Sequence, residues 1–320
     1  MKKYDVFAIG NPLMDTIIEV DEQDLEDLKL KKGNMHLVDS AQKEFIKIFL
    51  EKKIKTNQPG GSSSNTSAGI ANLGGSAFFS GKIGKDSTGK EYERIMLQQG
   101  IKCDLKKDDT PTGNVIVLTT KDGERTFATY LGGAIKYTKK DLNKKELLKS
   151  KILHIEGYML ENPELKKASI NAMKIAKKNK IIVSTDLSDP SLIQRNIKSF
   201  REIVKEYVDI LFLNEEEAKV FTGIENKEDA LLVLSSMVNL AIIKLGEHGS
   251  IIRIRNKNLK FNAVKPKKIV NTNGAGDMYA AGILYSIAKG LSLEEAGKIA
   301  SITATKVVEQ QGARLINKII

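Results

Sequence analysis

The sequence predicts an α/β protein built on a doubly wound, mostly parallel sheet. Two observations carry that expectation. From Lys151 onward apolar runs alternate with helical patterns: residues 152–155, 181–186, 210–213 and 240–245 read as buried strands, and 163–178, 193–207 and 215–221 as helices between them. Buried strands separated by helices of about 10–15 residues form a parallel sheet with helices on both faces. The stretches Gly10-Asn11-Pro12, Glu156-Gly157-Tyr158 and Leu187-Ser188-Asp189-Pro190 follow directly on such runs. That places them at the carboxyl ends of strands, where an open α/β sheet holds its ligands.

Taken in order, residues 6–9 form the first strand, and a second extended stretch follows at 16–20. Residues 21–30 read as a short helix, with Leu25, Leu28 and Leu30 as apolar marks and acids in the first turn. Lys32-Gly33 ends it, and 34–38 returns as a strand on which Met35 and Leu37 share a face. Residues 41–52 read as a helix with Phe45, Ile48, Phe49 and Leu50 inward. Pro59-Gly60-Gly61-Ser62-Ser63-Ser64-Asn65-Thr66 has two readings. It is a flexible linker, or, since it runs into a small-residue helix at 68–73, a glycine turn that brings backbone close to a ligand. A strand and turn follow at 78–86, a helix at 90–99, and two strands at 114–120 and 124–131 joined at Lys121-Asp122-Gly123, a hairpin signal. Past the alternating region come a strand pair near 250–254 and 259–263, an extended segment at 267–270, and helices at 278–289 and 293–308.

Asn271-Thr272-Asn273-Gly274-Ala275-Gly276-Asp277 precedes the first of those closing helices. Gly274, Ala275 and Gly276 have little side-chain bulk, and N–H groups at a helix start attract an anion. Asp277 adds a carboxylate beside that anion site, a pairing suited to phosphoryl transfer with the carboxylate taking the proton of an attacking hydroxyl. The plain alternative is a glycine turn whose Asp caps a helix. Asn214-Glu215-Glu216-Glu217 also reads two ways, since Asn followed by Glu three residues on is a capping box.

The string at 271–277 resembles the Asp-Thr-x-Gly-Ala-Gly-Asp signature of the ribokinase/adenosine kinase (PfkB-type) family, with Asn271 in place of the first Asp. Gly60, Gly61 and Asn65 match that family's Gly-Gly-x-x-x-Asn, and Asn214 and Glu217 its Asn-x-x-Glu. Gly-Asn-Pro-Leu-Met-Asp at 10–15 looks like the opening of adenosine kinases, and the resemblance runs from Asp5 to about Arg314. It implies a ribokinase-like fold in a single domain over 1–320, with a small β lid formed by about 13–38 and 112–133. It also implies an ATP- and Mg2+-dependent phosphotransferase acting on an alcohol, foremost the 5′-hydroxyl of adenosine or another nucleoside. A sugar such as ribose or fructose is the alternative acceptor, and a non-catalytic ligand-binding relative a third reading.

The residue roles that follow are implied by the resemblance. Asp277 is the base beside the hole at Gly274, Ala275 and Gly276; Asn11 and Asp15 hold the nucleoside; Gly60 and Gly61 lie against the sugar, and Asn65 bonds a hydroxyl. Leu13, Met14, Met35 and Leu37 would face the base, where apolar side chains suit a flat purine, or else form the core of the lid. Asn214 binds on the ATP side, and Glu217 orients the magnesium–phosphate complex through water. Lys244, Gly246 and Gly249 form the nucleotide loop, with Lys244 where the family has Thr and free to pair with a phosphate. Arg125 would be the lid arginine that reaches the transferring phosphate, or else a surface arginine of the hairpin. The helix at 21–30 is an adenosine kinase trait and would cover lid edges, which favours a monomer over a dimer.

Composition excludes little but agrees with this. Hydrophobic content of 41% and charge of 28% are ordinary for a globular protein. A net charge of +11 raises nucleic acid as a partner. However, lysines such as Lys166, Lys167, Lys174 and Lys177 spread along helix faces without interleaved aromatics, so a solvated surface and no nucleic-acid partner are expected. Cys103 stands alone, so neither an intramolecular disulfide nor a cysteine metal cluster can form. No apolar run reaches membrane-spanning length, and no signal-peptide core follows Met1-Lys2-Lys3, so no membrane partner and a cytoplasmic location are expected.

Overall fold

A computed structural model describes residues 2–53 and 55–315. The first third of the chain carries β1 Tyr4–Ile9, β2 Leu13–Glu19, α1 Glu22–Asp27, β3 Met35–Leu37, α2 Ser40–Phe49, β4 Lys55–Gly60, α3 Ser62–Asn72, β5 Ala77–Gly84, α4 Ser87–Gln98 and β6 Lys102–Asp108. Next come β7 Gly113–Thr119, β8 Arg125–Tyr130, α5 Lys144–Leu147, β9 Ser150–Glu156, α6 Pro163–Lys178, β10 Ile182–Asp186, α7 Pro190–Tyr207, β11 Ile210–Asn214 and α8 Glu215–Thr222. The remainder is α9 Lys227–Ser235, β12 Leu240–Lys244, β13 Ser250–Ile254, β14 Lys257–Phe261, α10 Ala275–Lys289 and α11 Leu293–Val308.

Nine strands form the large sheet in the order β14-β13-β12-β11-β10-β9-β1-β5-β6. Pairing is parallel from β12 to β6 and antiparallel only at β13 and β14. Strands β9 to β12 run outward on one side of β1, and β5 and β6 on the other. The order therefore reverses between β9 and β1, the point where a doubly wound sheet opens a crevice at its carboxyl ends. Side-chain alternation along each strand fills two cores. Phe7, Leu153, Leu211 and Ile243 pack with Leu165, Phe200, Phe221 and Leu231 from α6 to α9. Their neighbours Val6, Ile152, Phe212 and Ile242 pack with Ile70, Tyr92, Ile283 and Ala300 from α3, α4, α10 and α11.

The smaller sheet has the order β3-β8-β7-β2-β4 and its own core: Ile18, Val20, Leu25, Leu28, Ile46, Leu50, Ile116, Leu118 and Ala128. Strand β4 extends it beyond the two segments expected, 13–38 and 112–133. Strand β6 and helix α9 were also not foreseen. Helix α2 departs from expectation in its facing. Ile46 and Leu50 are buried, but Phe45, Ile48 and Phe49 are 56%, 65% and 41% exposed. Apolar residues at 45, 46, 48, 49 and 50 spread over roughly 200° of the helix surface, so one contact face cannot bury them all. Residues 267–270 form no strand, and Ile269 is exposed. Helix α3 begins at Ser62, within the Gly/Ser run, so that run is a turn into a helix and not a linker.

Candidate active site

Helix α10 opens at the carboxyl edge of the large sheet. Gly274 caps it in the left-handed region (φ 76°), which lets the loop turn sharply and lie against the Ala313 carbonyl, 2.3 Å from where a Cβ would sit. The N–H of Met278 is the first to bond inside the helix, to Gly274 O at 2.8 Å. Those of Gly276 and Asp277 lie in the first turn, where no intrahelical partner exists. Asp277 faces the cleft. Its Oδ1 accepts from Ser62 Oγ at 2.7 Å, and its Oδ2 from Asn65 Nδ2 at 2.9 Å. Burial pushes this carboxyl up to about 6, against the pull of those two hydrogen bonds.

A cleft of about 390 Å³ extends from Asp277 towards the smaller sheet, and Asn11, Leu13, Asp15, Met35, Leu37, Gly61, Asn65, Glu156 and Gly274 line it. Gly60 and Gly61 let the chain pass against its polar floor: a Cβ on Gly60 would lie 2.2 Å from Asp15 Oδ1, and one on Gly61 2.2 Å from Asn11 O. Burial raises Asp15 to about 7, with Arg314 the strongest opposing influence and Asp277 adding to the rise. Asn11 Oδ1 is buried without a partner among the described residues, while its Nδ2 donates to Glu156 Oε1 at 2.9 Å. Across the smaller sheet's face from Asp15 the lining becomes apolar. Met35 and Leu37 from β3 stand there with Phe127 from β8, and Leu37 is 55% exposed. Neither Met35 nor Leu37 belongs to the smaller sheet's core, whereas Met14 is buried in the large-sheet core and does not line the cleft.

Behind the Gly274–Gly276 turn, a second set of groups sits at the ends of β10, β11 and β12. A Cβ on Gly276 would lie 3.1 Å from Lys244 Nζ, so the ammonium is beside the turn. It is paired, however, with Asp186 Oδ2 at 2.5 Å. Burial works against the charge, but Asp186 and Glu217 outweigh it and hold Lys244 above its usual range. The capping box at Asn214 forms in full: Asn214 N and Nδ2 donate to Glu217 Oε2 and Oε1 at 2.8 and 2.7 Å, and Glu217 N donates to Asn214 Oδ1 at 2.8 Å. Glu217 is nevertheless drawn into the same cluster, its pKa raised by burial. Gly246 and Gly249, both with positive φ, shape the turn after β12. Arg125 Nη1 reaches from β8 to Asn271 Oδ1, and Asn271 Nδ2 holds Gly312 O at 3.0 Å.

The first set of expected residues thus surrounds one cleft, with Gly60 just beneath it. Ala275, Gly276, Asn214, Glu217, Lys244, Gly246, Gly249 and Arg125 do not line that cleft; Lys244 lies beside Gly276, and Arg125 bonds Asn271 in the loop before the base. The expected free lysine is corrected by the Asp186 pair. Sequence reasoning assigned no role to Glu156, Ser62, Asp186 or Arg314. Glu156 carried a usable signal, a lone acid ending an apolar run. Its Oε2 accepts from Ser63 N at 2.8 Å, and burial holds its carboxyl at about 7. Among the described residues no helix is long and apolar enough to cross a membrane.

Comparison with known proteins gives concordant results. The family model described as pfkB family carbohydrate kinase matches residues 49–319. A nucleoside kinase of Methanocaldococcus jannaschii is 31% identical, over 80% of this chain and 80% of its own. The crystal structure of an adenosine kinase from Sinorhizobium meliloti superimposes with a TM-score of 0.92 at 32% identity, covering 99% of this chain and 97% of that one. A probable sugar kinase from Rhizobium etli CFN 42 does so with a TM-score of 0.93 at 30% identity and the same coverage.

Proposed function

The chain belongs to the PfkB family of carbohydrate kinases, and we propose that within this family of phosphotransferases it is a nucleoside kinase, transferring phosphate from ATP to the 5′-hydroxyl of adenosine or a close relative. One observation carries the choice of acceptor. The cleft is carboxylate-rich at one end and apolar at the other: Asp15 on β2 stands near Asp277 and Glu156, and the same face of the smaller sheet continues through Val115 and Phe127 to Met35 and Leu37. A nucleoside has that same division, a ribose rich in hydroxyls and a flat base. A free sugar has nothing to set against the apolar end. The sugar-kinase reading keeps all the chemistry at Asp277 and rests on relatives such as the Rhizobium protein.

In this mechanism Asp15 accepts hydrogen bonds from the vicinal ribose hydroxyls, and the unpartnered Asn11 Oδ1 accepts another. The 5′-hydroxyl lies against Asp277, which takes its proton. Ser62 and Asn65 hold the carboxylate in place, and its elevated pKa of about 6 brings it near the range where a general base works best. The Gly274–Gly276 turn receives the moving phosphoryl group. Lys244, beside Gly276, and Arg125, from β8, face the charge that spreads over its oxygens. The smaller sheet acts as the lid of one catalytic domain.

Among the described residues no cluster of three or more His, Cys, Asp or Glu is placed to hold a metal alone. The donor set suits a magnesium ion carried mainly by phosphate oxygens, with Glu217 acting through water: its buried carboxylate, raised above its usual range, gains from an arriving cation. Bound there, magnesium would neutralise phosphate charge. A monomer in the cytoplasm completes the proposal. The test is a panel of adenosine, guanosine, inosine, ribose and fructose with ATP and magnesium. Turnover of a nucleoside is expected; efficient turnover of ribose or fructose alone would overturn the acceptor assignment and leave the kinase chemistry standing.

A further inference from the structure

We propose that Arg314 is a positioning residue, whose guanidinium sets the orientation of the Asn65 amide against Asp277 and whose charge stands behind the acceptor-binding carboxylate Asp15. The inference rests on the phosphotransferase reading, because it concerns the residues given the base and acceptor roles there.

The geometry is a relay between residues far apart in the chain. Arg314 Nε donates to Asn65 Oδ1 at 2.9 Å, and Asn65 Nδ2 donates to Asp277 Oδ2 at 2.9 Å. A guanidinium only donates and a carboxylate only accepts. The Asn65 amide between them therefore has one stable orientation; turned over, its NH2 would meet the guanidinium and its carbonyl the carboxylate. With an acceptor or nothing at 314, that preference weakens. The base would then lose the donor that holds one of its oxygens.

The second observation is the charge. Arg314 is buried, 6% exposed, and all the acceptors it meets are neutral: Gln99 Oε1 at 2.9 Å and Met96 Sδ at 3.2 Å from Nη1, Ser64 Oγ at 2.5 Å and Gly60 O at 3.1 Å from Nη2. Burying a cation without a paired anion is costly. Here the field falls on Asp15, which also faces Arg125 from β8 and Asp277 from α10. Asp277 in turn faces Asp186 and Lys244, with Glu156 on its other side. The segment carrying Arg314 is itself tied to the anion hole, through Asn271 Nδ2 to Gly312 O and through Gly274 packed on Ala313. One short stretch thus touches the glycine turn and strand β4, and reaches the base through Asn65.

The experiment uses the full chain and whichever acceptor the wild type phosphorylates, so inactivity on nucleosides counts against the proposed acceptor and not against this inference. Steady-state kcat, acceptor KM and ATP KM are measured across pH for Arg314→Met, Arg314→Lys, Asn65→Ala and the double variant Arg314→Met/Asn65→Ala. For Arg314→Met, acceptor kcat/KM falls about 10²-fold, the cost of a misplaced reacting group. Its acid limb moves up by about one pH unit, as loss of a neighbouring cation requires, while ATP KM is unchanged. Arg314→Lys keeps the charge but not the Nε donor, so it holds the acid limb and still loses kcat. In the double variant the losses are far from additive. Additive losses, an acid limb that stays in place in Arg314→Met, or wild-type kcat in Arg314→Lys would each overturn the proposal and leave Arg314 a packing residue. Should Arg314→Met fail to fold, the Lys variant alone decides.

Discussion

Replacing Asp277 with asparagine removes the proposed base while sparing its surroundings. The carboxylate has two donors, Ser62 Oγ and Asn65 Nδ2. An asparagine in its place can turn its carbonyl to Asn65 and give its NH2 to Ser62, whose hydroxyl rotates to accept. At most one hydrogen bond is weakened, a loss of about 1 kcal/mol, or about 2 °C in Tm for a chain of this size. Catalysis is affected far more. General-base assistance contributes about 10²–10⁴-fold, so kcat should drop by that factor, equivalent to about 3–5 kcal/mol of barrier. The pH profile gives an independent reading. Asp277 accepts a proton only when ionised, and its pKa is raised to about 6. Wild-type kcat should therefore fall as pH drops through about 6, and the variant's residual rate should lack that limb. Release of ADP reports turnover, and calorimetric titration reports binding of acceptor and ATP. Turnover within tenfold of wild type, in protein that still binds both, would refute the base assignment.

Other outcomes follow from the same geometry. Met35→Asp puts a charge at the apolar end of the cleft, so acceptor KM should rise well over tenfold, more than ATP KM; equal effects on both would place the base elsewhere. Glu217→Gln loses one of the two hydrogen bonds to Asn214, about 1 kcal/mol, and activity should need more magnesium. A lower Tm with unchanged magnesium dependence would leave Glu217 only its capping role. Light scattering should show a monomer, with α1 packed on the smaller sheet through Leu25 and Leu28. A stable dimer joined through that sheet, or through the exposed Phe45, Ile48 and Phe49 of α2, would contradict it.

The order of strands and helices from Lys151 to Leu245 was legible in the sequence because it depends on local periodicity. A strand buried on both faces is apolar throughout, and its helices repeat every 3.6 residues whatever surrounds them. Much of the site was legible for a related reason. The turn at Gly274 and the turn at Gly61 each need a glycine where φ is positive, and each leads into a helix start, where N–H groups lack intrahelical partners. Asp277 could be named from the glycine turn before it, whereas Asp15 and Asn65 were named through strings that resemble the family's signatures.

What the chain order concealed is which distant groups meet. Lys244 could be read as a free cation until β10 and β12 placed Asp186 against it, 58 residues away in sequence. Glu156 gained its partners only when β9 lay beside β1, and Arg314 reached Asn65 across 249 residues. The facing of α2 could not be read from an apolar arc wider than one contact face; the core beneath it chose Ile46 and Leu50. Periodicity and turn chemistry act over a few residues and can be read in place. Ion pairs, buried carboxylates and the choice between near-equivalent faces are set by the order in which strands lie side by side, and that order exists only once the chain has folded.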